Sequence, residues 1–120
     1  VTLKVVELDS NPNPEISQVM EGSATYHYYR VVDNNGKGVS DMKPVLEING
    51  KTIIGDASDE DGLLKLSINT NNIAKAGDIL TVKLVKIGEQ ELSPSEQITF
   101  QVQVTPAKSK LFFKKEKLGK

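Results

Sequence analysis

The residue types best suited to chemistry are concentrated in one run, residues 26–30, which contains all three tyrosines and the only histidine of the chain. Successive side chains of a β-strand point to opposite faces, so the run is divided between two surfaces. His27 and Tyr29 share a face with Val31, and the position of Val31 two residues before a polar turn indicates that this face points inward. The alternation therefore predicts an exposed stripe made of Tyr26, Tyr28 and Arg30.

Two interpretations of the stripe remain open. Tyr and Arg dominate interface hot spots, so Tyr26, Tyr28 and Arg30 could stack on sugar rings or anchor a host protein. Alternatively, cross-strand pairing of aromatic and Arg side chains stabilises the sheet surface and nothing more. His27 has no partner in the sequence that would make it a metal ligand or a general base, which favours a packed, hydrogen-bonded histidine.

A second group of polar residues crowds one loop and consists of Asp56, Asp59, Glu60 and Asp61. Calcium prefers such oxygen donors, but an EF-hand loop that started at Asp59 would have Leu63 at its third ligand position. Gly62 instead fits a turn that needs positive φ. We therefore predict a solvated turn, with no metal and no cofactor.

Other catalytic patterns are missing from the sequence. It contains no Gly-rich phosphate loop and no nucleophile elbow, and without cysteine it has no thiolate nucleophile or zinc ligand. The prediction is a protein without enzymatic activity and without catalytic residues.

Length and charge limit the class of protein further. A chain of 120 residues is one domain that can bury its own core. The formal net charge of −1 gives no reason to expect nucleic acid as a partner. No apolar run approaches the roughly 20 residues of a membrane helix, so we expect no membrane insertion by this segment.

Period-2 alternation predominates along the chain, and turn residues separate the alternating segments. We expect strands within the ranges 1–8, 16–20, 24–32, 42–48, 52–54, 64–68, 80–87 and 98–104, and one helical turn over 71–76. Asn-Gly and Asp-Gly steps at positions 35–36, 49–50 and 61–62 are strong turn signals.

Seven or eight short strands with this spacing predict an all-β, immunoglobulin-like two-sheet β-sandwich over residues 1–107. Ile98, Phe100, Val102 and Val104 are expected to face Leu64, Leu66, Leu80 and Val82 across the core. Residues 108–120 are a basic tail or the start of a following domain, since six lysines surround Phe112 and Phe113.

The run Val31–Ser40, followed by Val45–Ile48, resembles the "V-x-D-x-x-G-x-x-V…V-x-(L/F)" signature of bacterial Ig-like domains of invasin- and intimin-type adhesins. Ser58–Leu63 is similar to the "T-D-x-x-G" turn of that group, and Ala76–Val82 to its "A-G-x-x-x-(V/L)-T-V" strand entry. The turns also resemble those of carboxypeptidase regulatory-like, transthyretin-type sandwiches. The chain departs from the first group at Met42–Val45, where many members have Gly-Val-Pro-Val.

The resemblance spans roughly Tyr26 to Gln103 and implies a non-catalytic structural or adhesion module of a larger secreted or cell-surface bacterial protein. Such a module spaces or presents a binding surface, and its partners are neighbouring domains of the same chain and a host protein or carbohydrate. The alternative is a carbohydrate- or ligand-binding accessory module attached to an enzyme. Tandem copies of the Asp-x-x-Gly turn in the parent sequence would favour the first hypothesis.

Overall fold

A computed structural model describes residues 2–8, 13–71 and 73–107 of the chain. Nine strands cover most of this part: β1 (Lys4–Glu7), β2 (Ile16–Met20), β3 (Ala24–Val32), β4 (Pro44–Ile48), β5 (Lys51–Ile54), β6 (Leu63–Asn69), β7 (Ile79–Ile87), β8 (Gln90–Glu91) and β9 (Ile98–Thr105). The described residues contain no helix, and thus none long and apolar enough to cross a lipid bilayer.

The strands form two sheets. Sheet A has three strands in the order β1-β3-β6, all antiparallel. Sheet B has the order β2-β9-β7-β4-β5, with β8 paired to β7. Within sheet B, β2 lies at an edge, and its pairing with β9 is parallel whereas the other pairings are antiparallel. This arrangement confirms the predicted all-β, Ig-like two-sheet β-sandwich.

The core lies between the two sheets and follows the predicted alternation. Phe100, Val102 and Val104 of β9 are buried, and so are Leu64 and Leu66 of β6 in the opposite sheet. One part of the expected packing is wrong. Leu80 and Val82 belong to β7, which is the neighbour of β9 within sheet B, so they lie beside the β9 side chains rather than across from them.

The polar turns of residues 33–38 and 59–62 pack against each other at one end of the sandwich, which we name pole 1. In each turn an aspartate side chain closes the loop: Asp33 Oδ1 accepts from two backbone N–H groups, and so does Asp59 Oδ1. Val31 joins the turns, because its N–H donates to Gly62 O and its carbonyl accepts from Val39 N. A Cβ on Gly38 would collide with the carbonyl of Asp61, so this approach requires glycine.

The structure differs from the sequence prediction in its details. It has nine strands instead of seven or eight, because the two-residue β8 pairs with the end of β7. The expected helical turn over 71–76 is a hydrogen-bonded turn in its described part, in which Ile73 N and Ala74 N both donate to Thr70 O. The predicted basic tail, residues 108–120, lies outside the described residues.

Candidate functional site

Strand β3 divides residues 26–30 as the alternation predicts. His27 and Tyr29 face the core and are 1% and 2% exposed. On the outer face of sheet A, Tyr26 is 46% exposed, Arg30 is exposed and Tyr28 is half-buried. The predicted stripe therefore exists as a surface, and its role in binding stays a prediction.

Lys65 of β6, which is not part of the predicted stripe, completes this surface. It lies directly opposite Tyr28 in the β3–β6 register, and its ammonium Nζ stands 4.4 Å from the centre of the Tyr26 ring. A cation over the face of an aromatic ring is attracted by the ring quadrupole, which favours this position of the flexible lysine side chain. No local pattern in the sequence indicates this contact, because it depends on the register between two strands that are separated by thirty residues.

Behind the stripe, His27 is the centre of a buried polar cluster that joins the two sheets. Its Nε2 shares a 2.6 Å hydrogen bond with Ser17 Oγ of β2, and its Nδ1 lies 3.4 Å from the hydroxyl of Tyr29. The imidazole also stacks on Phe100 of β9, with ring centres 3.8 Å apart and planes 12° apart. His27 is thus packed and hydrogen-bonded by residues of sheet B, as the simpler interpretation expected.

Burial determines the protonation of this cluster. Desolvation lowers the pKa of His27 below its ordinary value, and the nearby negative charge of Glu7 opposes this only in part. Desolvation, with the same carboxylate adding to it, raises the pKa of Tyr29 well above its usual range. The cluster is therefore neutral at physiological pH, and every buried side-chain N or O atom in the described part of the chain has a hydrogen-bond partner.

A cleft of about 280 Å³ opens beside this cluster, and Glu7, Asn13, Tyr29 and Phe100 are among its lining residues. Asn13 also continues the ladder of β3 past the end of β1, since its side-chain amide donates to Tyr28 O and accepts from Tyr28 N. The His27 ring does not line the cleft, so Ser17 and His27 form a structural link between sheets instead of an exposed nucleophile and base.

The carboxylate loop is organised around its own backbone. Asp59 Oδ1 accepts from Asp61 N and Leu63 N at 2.9 Å each, an Asx-type turn that leads into β6. Over residues 2–8, 13–71 and 73–107, no group of three His, Asp or Glu side chains is gathered to hold a metal ion. The absence of a tight calcium site stays a prediction, which calcium titration can test.

The strand pairing defines the class of this domain as an Ig-like β-sandwich. No protein-family model and no curated protein matches the chain. Two solved structures of the CARDB domain of the PF1109 protein from Pyrococcus furiosus are similar to it, each over 88% of this chain and 94% of that domain. One is a crystal structure in complex with di-metal ions, 18% identical with a TM-score of 0.48; the other is a solution NMR structure, 17% identical with a TM-score of 0.47.

At this level of similarity, the fold assignment rests on the strand pairing of the chain itself. The resemblance to invasin- and intimin-type domains, like that to transthyretin-type sandwiches, stays a prediction based on the turn motifs.

Proposed function

We propose that this domain is a non-catalytic spacing and adhesion module of a larger secreted or cell-surface bacterial protein. The observation that carries the proposal is the position of the first and last strands in the part of the chain that the structure describes, β1 and β9. β1 begins next to Val32, at pole 1, and runs towards the middle of the sandwich. β9 ends beside Met20, at the opposite end of the molecule, which we name pole 2.

A chain that enters at one pole and leaves at the other transmits tension along the strands. The ladder hydrogen bonds are perpendicular to the strands, so tension between the poles shears many of them at once instead of opening them one by one. Because a nine-residue strand spans about 30 Å, each module in a series would add roughly that length. Both properties suit a stalk that holds a binding surface away from the cell.

The entering strand is secured at pole 1 by a side-chain clamp. The amide of Gln90 accepts from Leu3 N and donates to Leu3 O, each at 2.7 Å. Gln90 belongs to β8, so the clamp attaches the start of sheet A to sheet B. Tension on β1 would therefore reach both sheets, and the core between them would resist it.

The leaving strand is secured on both sides. β9 lies between β2 and β7, and past the end of β2 the backbone N–H of Glu21 donates to Thr105 O at 2.8 Å. Pole 2 is closed by Thr70, whose buried hydroxyl accepts from Gly22 N and donates to Ser23 O. These bonds support a module whose last strand does not peel away under tension.

Single-molecule force measurements test the mechanical role. Because the chain has no cysteine, handles can be attached at cysteines introduced by Thr2→Cys and Ala107→Cys, which apply force from pole to pole. A second molecule with Thr52→Cys and Thr99→Cys applies force across sheet B, along its hydrogen bonds. We expect the pole-to-pole unfolding force to be several-fold higher; an equal or lower force would contradict the proposal.

A matched pair of variants tests the clamp in the pole-to-pole geometry. Gln90→Ala should lower the unfolding force, whereas Glu91→Ala, at the exposed neighbouring position, should leave it unchanged. Antibody labelling of intact bacteria tests the location: labelling that requires cell lysis would count against a surface protein.

A ligand-binding accessory module is the second candidate function. The exposed Tyr26 with the Lys65 ammonium fixed over its ring favours it, since this arrangement orders a cation at the surface. Pole-to-pole resistance no greater than transverse resistance, together with ligand binding at this surface, would favour the accessory module over the stalk.

A further inference from the structure

All charged side chains that the strands of sheet A place on its outer face are cations. The register places Lys4, Arg30 and Lys65 on this face, with Tyr26 and Tyr28 beside them, and we name these five residues the cation face. The strands of sheet A, all of which the structure describes, place no carboxylate on that side. This is a local excess of positive charge on a chain whose formal net charge is −1.

The three cations form a diagonal row across the sheet. Lys65 of β6 is level with Tyr28, Arg30 lies one strand over and two residues along β3, and Lys4 of β1 is level with Val32. With strands about 4.8 Å apart and a rise of about 3.4 Å per residue, successive Cα positions in the row are roughly 8 Å apart. A ligand that met all three would cross the strands obliquely and carry negative charges at intervals.

The aromatic residues limit what the ligand is. The Lys65 ammonium already occupies one face of the exposed Tyr26 ring, so a nucleic acid base that stacked on that face would first have to displace the ammonium. The surface offers two ammonium groups, a guanidinium and phenolic hydroxyls, which suit a ligand rich in both anions and hydroxyl groups.

A peptide fits the cation face poorly for a different reason. Extended peptides bind sheets by adding a strand at an edge, where backbone N–H and C=O groups are free. The row of cations instead crosses β3, the central strand, whose backbone is paired with β1 and β6 on its two sides. An acidic peptide laid across this face would find charges and no backbone partners.

We propose that the cation face binds an acidic polysaccharide, a chain of sugar rings that carry carboxylate or sulfate groups. Arg30 and Lys4 contact the anions, and so does Lys65, whose ammonium lies over the Tyr26 ring. The tyrosine hydroxyls form hydrogen bonds with sugar hydroxyls. The proposal concerns ligand chemistry and does not depend on the stalk role, because the force measurements and the binding measurements have separate readouts.

The test uses polygalacturonate as the probe, in titration calorimetry with the full chain at about 0.05 M salt, where screening is modest. Dextran, poly-glutamate and oligothymidylate serve as the neutral, peptide and nucleic acid comparisons. We expect saturable binding of polygalacturonate, weaker binding of the two other polyanions and no binding of dextran. No binding of polygalacturonate, or tighter binding of poly-glutamate or oligothymidylate, would overturn the proposal.

Two double variants with the same change in net charge locate the site. Arg30→Glu with Lys65→Glu should weaken polygalacturonate binding roughly tenfold, because each exposed ion pair contributes modestly and each reversal adds a repulsion. Lys51→Glu with Lys75→Glu reverses two exposed lysines outside sheet A and should change binding less than about twofold. Equal losses in both would mean attraction to the overall charge, and the site assignment would be wrong.

Tyr26→Leu tests whether the ring positions the lysine. Removal of the cation–π contact should weaken polygalacturonate binding about two- to fivefold. Unchanged binding in this variant would contradict the positioning role of Tyr26. Circular dichroism of each variant confirms that the fold is retained, as expected for exposed positions.

Discussion

Three glycines lie at pole 1, and replacing each of them with alanine, which adds one methyl group, tests the packing of the two turns. Gly36 has φ of +80° and lies in open space, with nothing within 4 Å of the position that a Cβ would take. Gly62 has nearly the same φ, +85°, but its Cβ would lie 2.6 Å from Val31 O and 2.8 Å from Val39 N. Gly38 has no positive φ, and its Cβ would collide with the Asp61 carbonyl. The series therefore separates backbone strain from steric conflict.

The expected losses in the free energy of unfolding follow from these differences. Gly36→Ala should cost about 1–2 kcal/mol, the strain of an L-residue in the left-handed region. Gly62→Ala adds overpacking of about 1–3 kcal/mol to that strain, for a total of roughly 2–5 kcal/mol. Gly38→Ala should cost about 3 kcal/mol, since the obstacle is backbone and the alanine gains less than about 1 kcal/mol from a more restricted unfolded chain.

Urea unfolding followed by circular dichroism measures the three variants against the parent chain, with the slope m as a check that the cooperative transition is unchanged. The expected order of destabilisation is Gly62→Ala largest, Gly38→Ala next and Gly36→Ala smallest. If Gly38→Ala cost no more than Gly36→Ala, the two turns would not be in contact and the described geometry of pole 1 would be wrong.

Three further predictions concern the core and the carboxylate loop. Burial keeps the pKa of His27 in the folded protein below 6.5, so the free energy of unfolding should be highest above about pH 6.5 and decline as the pH falls towards that folded pKa. In urea unfolding at a series of pH values, His27→Gln should flatten this dependence, and an unchanged dependence of stability on pH would contradict the prediction. Phe100→Ala should cost about 3–5 kcal/mol in the same assay, because it removes a buried ring and the surface on which His27 stacks; a loss below about 1 kcal/mol would contradict the packing. Excess calcium should leave the melting temperature in calorimetry nearly unchanged, whereas calcium at about 100 times the Kd of a real site would add about 2.7 kcal/mol to the free energy of unfolding. A clear rise in melting temperature, abolished by Asp59→Asn with Asp61→Asn, would show that the loop binds calcium.

Local patterns predicted the faces of the strands well. The bounds of β2 and β3 agree with the alternating segments at 16–20 and 24–32, and the inward position of His27 and Tyr29 follows from period 2 alone. The Asp-Gly and Asn-Gly turns were visible for the same reason: their conformations depend on one or two residues that accept positive φ.

Pairing between distant strands was not visible in the sequence, and both parts of the site depend on it. Ser17 reaches His27 because β2 pairs with β9 in sheet B and thereby lies opposite β3. Lys65 reaches Tyr26 through the β3–β6 register. A serine or a lysine in an alternating segment carries no sign of its partner, since the partner is determined by the order of strands and not by the adjacent residues.

The inner and outer faces of β3 depend on each other. A one-residue slip of β3 against β6 would exchange its faces, so that Tyr26, Tyr28 and Arg30 would turn inward and His27 outward. The burial of Tyr29 and Val31 opposes such a slip. The hydrogen bond between Ser17 and His27 and the stack of His27 on Phe100 oppose it further, because both are satisfied in a single register. The buried polar cluster therefore joins the two sheets and also contributes to the register of β3 that displays the cation face to solvent.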